Sequence, residues 1–184
     1  LEIYDDLFKN KETLYISQGQ LIENVIREVE KAQNGETTVD NILLTAPTGS
    51  GKSLLFQLPA IYLGNEYNLL TIVVSPLKAL IVDQVESLQD TGYKRVAYAS
   101  SDLSPEQKAD VYRQVHDGEI DLFYLSPELL LSYDIKHFVG ERRIGLVVVD
   151  EAHTVTTWGK EFRVDYWFLG RYLNLLKQNL GYNF

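Results

Sequence analysis

Eight consecutive residues, Ala46-Pro47-Thr48-Gly49-Ser50-Gly51-Lys52-Ser53, carry the ingredients of a phosphate cradle. Gly49 and Gly51 let the backbone turn its N–H groups toward phosphate oxygens, and Thr48 and Ser50 complete the loop around them. The helix expected directly behind the loop adds the positive end of its dipole. Lys52 is expected on the β- and γ-phosphates, and Ser53 as an oxygen ligand of Mg²⁺. Far downstream, Asp150-Glu151-Ala152-His153 follows the apolar run Leu146 to Val149. Asp150 is placed to hold Mg²⁺ through water, Glu151 to polarise an attacking water, and His153 to couple the site to a second lobe or to nucleic acid. Each segment alone has a bland reading, a glycine-rich turn before a helix or a solvated acidic turn after a strand. Together they specify a Mg-ATP site whose chemistry is phosphoanhydride hydrolysis, achieved by positioning and electrostatics. What that hydrolysis drives is not contained in the two motifs.

The elements that must position these residues alternate along the chain. Leu21, Ile22, Val25, Ile26 and Val29 recur at helical spacing, and Asn34-Gly35 reads as the stop. The short apolar run Ile42 to Thr45 is expected to be a buried strand feeding the phosphate loop, with a helix over Gly51 to Leu63. Leu70 to Ser75 is continuous and β-branched, as strands of a parallel sheet are. An amphipathic helix is expected over Leu77 to Leu88, and a strand over Arg95 to Ala99. Ser104-Pro105-Glu106-Gln107 is a capping box with proline at the first helical position, opening a helix to about His116. Asp121 to Leu125 is a strand, Ser126-Pro127-Glu128 opens a helix, Ile144 to Val149 is the most strand-like run, and Arg163 to Gln178 is amphipathic. This alternation predicts an α/β fold with a mostly parallel sheet and helices on both faces. In such a sheet ligands bind beyond the carboxyl ends of the strands, so both motifs are expected at one edge.

Composition sets the outer limits. With 184 residues, 45% hydrophobic and 23% charged, the chain suits one globular domain. No apolar run approaches the ~18 residues that span a bilayer, and the charged first ten residues do not form a signal peptide. No membrane partner is expected, and an intracellular protein, cytoplasmic if bacterial, is the natural reading. Without cysteine there is neither a disulfide nor a thiolate metal site in this segment. A net charge of -9 counts against a simple nucleic-acid-binding module. It leaves room for a lobe that touches phosphates along a local strip.

The residues from about Ile16 to Leu169 resemble a superfamily 2 helicase of the RecQ-like kind, first RecA-like lobe. Thr45 to Ala60 resembles motif I, where alanine at Ala46 is common in that superfamily. Val73 to Val85, with Ser75-Pro76-Leu77 and Asp83-Gln84, resembles motif Ia. Tyr124 to Leu129 resembles the later motif of the lobe, and Val149 to Tyr166 resembles motif II with the aromatic-rich loop that follows it. Trp158-Gly159, Phe162-Arg163 and Asp165-Tyr166 are the most specific part, because DEAD-box and DEAH-box RNA helicases lack that pattern.

The resemblance implies a RecA-like P-loop NTPase fold, ATP and Mg²⁺ as cofactors, and DNA, single-stranded at the contact, as partner. It implies that Trp158, Phe162 and Arg163 sense that DNA by stacking and charge. It also implies that Ser75, Pro76, Lys78 and Ser126 lie at helix starts whose backbone N–H groups meet the DNA backbone. Gln20 falls on the glutamine expected to read the adenine edge, while Ser17 stands where the family carries arginine.

Strand separation with 3′-to-5′ polarity follows from the resemblance alone. A duplex-DNA translocase, a nucleotide-dependent module of a DNA defence or repair complex, and an RNA helicase are the competing readings. The chain contains no methionine and is read as a C-terminally truncated piece of a longer protein, an ATP-binding domain over residues 1–184. A second RecA-like lobe of the same polypeptide is expected to supply arginine fingers, so the piece alone should bind Mg-nucleotide but turn it over poorly.

Overall fold

A computed structural model of the chain describes residues 17–36, 38–47, 49–152, 160–180 and 184. They fall into two units, Leu1–Pro59 and Ala60–Phe184.

In the first unit Ser17 caps helix α1 (Gln18–Gln33) through a capping box. The Ser17 Oγ accepts from the Gln20 N–H at 3.2 Å, and the Gln20 side-chain oxygen accepts from the Ser17 N–H at 2.9 Å. Two of the donors that every helix start leaves unsatisfied are met in this way. The helix stops at Asn34-Gly35 as expected, with Gly35 at a φ of +77°. Glu28 reaches forward from α1 to accept the Asp40 N–H at 3.1 Å, fixing the loop between them.

Ile42 to Thr45 departs from the sequence reading. The segment is not a strand, and Ile42 and Leu43 are 48% and 86% exposed. An apolar run becomes a strand only when a neighbour takes its N–H and C=O groups. Among the described residues the first unit contains no strand to pair with it. Helix α2 (Leu54–Tyr67) starts three residues later than expected and carries Pro59 inside it, where one helical N–H is missing.

The second unit is built on a parallel sheet of strands β1 (Leu70–Val74), β2 (Val96–Ala99), β3 (Leu122–Leu125) and β4 (Ile144–Val149), in spatial order β2-β3-β1-β4. The helices between and after them are α3 (Lys78–Asp90), α4 (Pro105–His116), α5 (Pro127–Ser132), α6 (Ile135–Val139) and α7 (Lys160–Leu180). Every residue of β1 and β3 is buried. Successive side chains of a strand point to opposite faces, so both faces of the central pair are covered. β4 lies at the sheet edge and is only partly buried beyond Gly145.

One core face gathers Leu70, Ile72 and Val74 of β1 with Phe123, Leu125, Leu130 and Phe138. Leu169 and Leu176, seven residues apart on α7, enter the same core. The Ser104 capping box with Pro105 at the first turn of α4 forms as the sequence indicates. Helix α6 does not stand out in the sequence, because five residues are too few to show a period.

The amino end of the sheet is clamped by charge. Asp121, wholly buried just before β3, accepts from Arg95 Nε at 2.5 Å and from Arg142 at 3.3 Å. Gly64 of α2 lies against this carboxylate, and a Cβ there would come within 2.5 Å of the Asp121 Cγ. Only glycine permits that approach.

Candidate nucleotide site and nucleic-acid interface

The phosphate-loop residues behave as their types demand. Gly49 and Gly51 adopt left-handed φ values of +78° and +77°. The Ser50 N–H turns back to the Pro47 carbonyl at 3.3 Å. Lys52 donates to the carbonyls of Ala46 at 2.7 Å and Pro47 at 3.2 Å, tying the end of the loop to its beginning. The Leu54 N–H to the Gly51 carbonyl, at 3.1 Å, then starts the turn that leads into α2. Ser53 is half-buried on that turn.

Gln18, a residue the sequence did not single out, donates its side-chain amide to the Ser50 carbonyl at 3.1 Å. A Cβ at Gly51 would meet that amide at 2.8 Å, so glycine at this position also makes room for Gln18. Gln20, the expected adenine reader, uses its side-chain oxygen in the α1 cap. The signal for Gln18 was its place in the first turn of the same helix, about 200° around the axis from Gln20. Thr48 lies outside the described residues.

In the second unit the four strands are parallel and end in register, Ala99 beside Leu125, Leu125 beside Val74, and Val74 beside Val149. The next residue on each is therefore aligned across the carboxyl edge, in the order Ser100, Ser126, Ser75, Asp150. The Asp150 N–H still bonds the Val74 carbonyl at 2.9 Å, which extends the ladder one step and fixes where the acidic segment leaves the sheet. Asp150 is half-buried. Its Oδ1 accepts the Glu151 N–H at 2.9 Å, and its Oδ2 faces the Gln84 amide at 3.4 Å. Glu151 adopts a φ of +52°, a left-handed conformation that side-chain-bearing residues rarely take. The Ser75 hydroxyl is buried with no hydrogen-bond partner.

Residues 17–180 match the DEAD/DEAH box helicase family. The chain belongs to that family. Its relatives place it on the RecQ-like branch of superfamily 2. It is 41% identical over 141 residues, 76% of the chain and 28% of the relative, to the ATP-dependent DNA helicase RecQ of Synechocystis. It is 36% identical over 154 residues, 84% of the chain and 28% of the relative, to the probable ATP-dependent DNA helicase RecS of Bacillus subtilis. It is 36% identical over 141 residues, 74% of the chain and 10% of the relative, to the ATP-dependent helicase SGS1 of Saccharomyces cerevisiae. The chain thus spans between a tenth and under a third of the length of these relatives. No described helix is long and apolar enough to cross a membrane.

The remaining candidate residues divide by accessibility. Pro76 is half-buried and Lys78 exposed at the start of α3, whose cap is Leu77. The Lys78 ammonium pairs with Asp102 at 2.5 Å, and Asp102 also accepts from the Ser100 hydroxyl. Lys78 first, and Ser100 after it, hold the Asp102 carboxyl down at about 2. Ser126 caps α5, its Oγ accepting the Leu129 N–H at 3.3 Å. Ser75 offers only backbone to a partner, since its hydroxyl is buried. His153 and Trp158 lie outside the described residues, and Phe162 and Arg163 fall in the first turn of α7.

Proposed function

We propose that the chain is the ATP-binding and ATP-hydrolysing motor lobe of a RecQ-like DNA helicase, whose full-length form separates strands 3′ to 5′. The observation that carries this reading is Asp150-Glu151 at the carboxyl edge of the parallel sheet, aligned with Ser75 and Ser126. An acidic pair there does the work expected of motif II, and the serines begin the segments expected to touch nucleic acid.

In this reading Gly49, Ser50, Gly51 and Lys52 bind the phosphates, with Thr48 in the loop, and Gln20, whose side-chain oxygen is held in the α1 cap, offers its NH₂ group to the base. Ser53 and Asp150 hold Mg²⁺. The donor chemistry supports this. Both offer hard oxygens. Mg²⁺ characteristically takes one or two carboxylates and completes its shell with phosphate and water oxygens. The orphaned Ser75 hydroxyl is one more buried oxygen at the position next to Asp150. Bound Mg-ATP supplies the phosphoanhydride bond to be broken and neutralises charge as it breaks. Glu151 orients the attacking water and accepts its proton. His153 links the site to the rest of the motor.

Lys78 and the backbone starts at Ser75-Pro76 and Ser126 contact the phosphates of single-stranded DNA, and Trp158, Phe162 and Arg163 stack on its bases. A second RecA-like lobe elsewhere in the polypeptide completes the catalytic site, which is why the lobe alone should hydrolyse ATP slowly. The test is ATP hydrolysis by the full-length protein without nucleic acid and with single-stranded DNA, duplex DNA or RNA. Strong stimulation by single-stranded DNA, abolished in Lys52→Ala and lost in Trp158→Ala, is expected. Stimulation by duplex or RNA only would assign the motor a different track.

A further inference from the structure

Asp150 is held from one side by a pair of residues to which the motifs give no role. The Tyr124 hydroxyl donates to the Gln84 side-chain oxygen at 3.0 Å, and the Gln84 amide nitrogen points to Asp150 Oδ2 at 3.4 Å. Tyr124 is wholly buried on β3, Gln84 is half-buried on α3, and Asp150 follows β4. The hydrogen-bond sense of the chain is forced. An ionised carboxylate can only accept, so Asp150 requires the NH₂ end of the Gln84 amide, which leaves the amide oxygen for the Tyr124 hydroxyl to donate to. The NH₂ end is thereby directed at the carboxylate. With the Glu151 N–H on Oδ1 at 2.9 Å, both oxygens of Asp150 are fixed and the plane of the carboxylate is set.

We infer that Gln84, clamped by Tyr124, is a positioning residue for the Asp150 carboxylate. This rests on the reading of Asp150 as a Mg²⁺-nucleotide residue. Three features favour positioning over simple packing. The donor is neutral, so it orients the carboxylate without cancelling the negative charge that a cation requires, as a lysine or arginine would. The anchor is enclosed, because Tyr124 has no exposed surface. The last link, at 3.4 Å, is at the long end for a hydrogen bond and can shorten when the carboxylate is engaged.

The position of Gln84 on α3 adds a second consequence. The helix is seated by Ile81 and Val85, which are buried on either side of Gln84. Lys78 stands at its first residue. Six residues at about 1.5 Å each put Gln84 about 9 Å along the helix from Lys78. A displacement of the start of α3 is therefore transmitted to the amide that holds Asp150, while Tyr124 stays fixed in the sheet.

The test is equilibrium binding of a fluorescent, non-hydrolysable ATP analogue to the full-length protein, with excess Mg²⁺ and with EDTA. A hydrogen bond to a charged group, taken at the weak end of its range for this distance, is worth about tenfold in affinity. Gln84→Ala should weaken Mg-nucleotide binding about tenfold and leave binding in EDTA unchanged. Tyr124→Phe should act in the same direction, and should have a smaller effect in the Gln84→Ala background than alone, because the Tyr124–Gln84 bond is already absent there. Thermal unfolding of each variant checks that it is folded. Weakening that is equal with and without Mg²⁺ would show a merely structural role and overturn the inference. Asp150→Ala separates the two readings. If it abolishes the Mg²⁺ dependence while Gln84→Ala does not change it, the positioning role falls and the nucleotide site stands. If Asp150→Ala has no effect on Mg²⁺ dependence, both fall.

Discussion

Replacing Asp121 by alanine should destabilise the sheet unit by about 3–5 kcal/mol, the range for removing one partner of a buried ion pair. The two arginines do not share this equally. The Arg95 side chain is 42% exposed, so water can solvate it once the carboxylate is gone, and its share is at most about 1 kcal/mol. The Arg142 side chain is 7% exposed and has no such recourse. It would keep its bonds to the carbonyls of Val115 at 3.2 Å, Ile120 at 3.1 Å and Asn68 at 3.3 Å, but its charge would be buried without a counter-charge. Most of the loss therefore comes from Arg142. At about 2–4 °C per kcal/mol for a chain of this size, Tm should fall by about 6–20 °C. Urea unfolding followed by far-ultraviolet circular dichroism measures the free energy. A loss below about 1 kcal/mol for Asp121→Ala would refute the argument that this carboxylate balances Arg142. Nucleotide binding by the folded fraction should be unchanged, because the clamp lies at the amino end of the strands.

Two further outcomes are specific. Gly64→Ala should destabilise by about 1–3 kcal/mol despite the better helix propensity of alanine, since the new methyl would meet the locked Asp121 carboxylate, and thermal unfolding will show it. Asp102→Asn should free Lys78, strengthening single-stranded DNA binding and steepening the log-log salt dependence by about 0.7 for one added phosphate contact, as measured by fluorescence anisotropy. The pH sign is fixed by the Asp102 carboxyl at about 2, below the unfolded value of about 3.9. Its ion pair is fully present above the unfolded value and is lost only as pH falls toward the folded one. The difference in DNA affinity between wild type and Asp102→Asn should therefore stay constant between about pH 5 and 8.

What the sequence revealed was local. Ser104-Pro105-Glu106-Gln107 and Ser126-Pro127-Glu128 specify helix starts within one turn of chain, and both form. The continuous apolar runs at Leu70 and Ile144 specify parallel strands, and both pair. Ile42 to Thr45 has the same composition, yet an apolar run does not encode the neighbour that would complete it, and none is supplied within its unit. At the candidate site, Asp150 and Lys52 stand out in the sequence because the roles proposed for them depend on adjacent residues. Gln84 and Tyr124 were not assigned a role, because they reach Asp150 only through strand order, which brings residues from three separate segments to one edge. Gln18 shows the same limit on a smaller scale. Two glutamines share a helical turn, and only the fold decides that one caps the helix while the other meets the phosphate loop.

The two ends of the sheet illustrate how the fold divides its work. At the amino end Asp121 is enclosed by two arginines and a glycine that admits it, an arrangement that resists movement. At the carboxyl end the Ser75 hydroxyl is left without a partner and Glu151 is held left-handed. A non-glycine residue in that conformation costs about 1–2 kcal/mol. The Asp150 carboxylate accepts the Glu151 N–H, and Gln84 and Tyr124 hold that carboxylate in turn. The peptide plane that leads into Glu151 is thus held by the same carboxylate that is proposed to face Mg²⁺. In that arrangement a change at Asp150 on nucleotide binding would reorient the residue proposed to position water, with no larger motion of the sheet required.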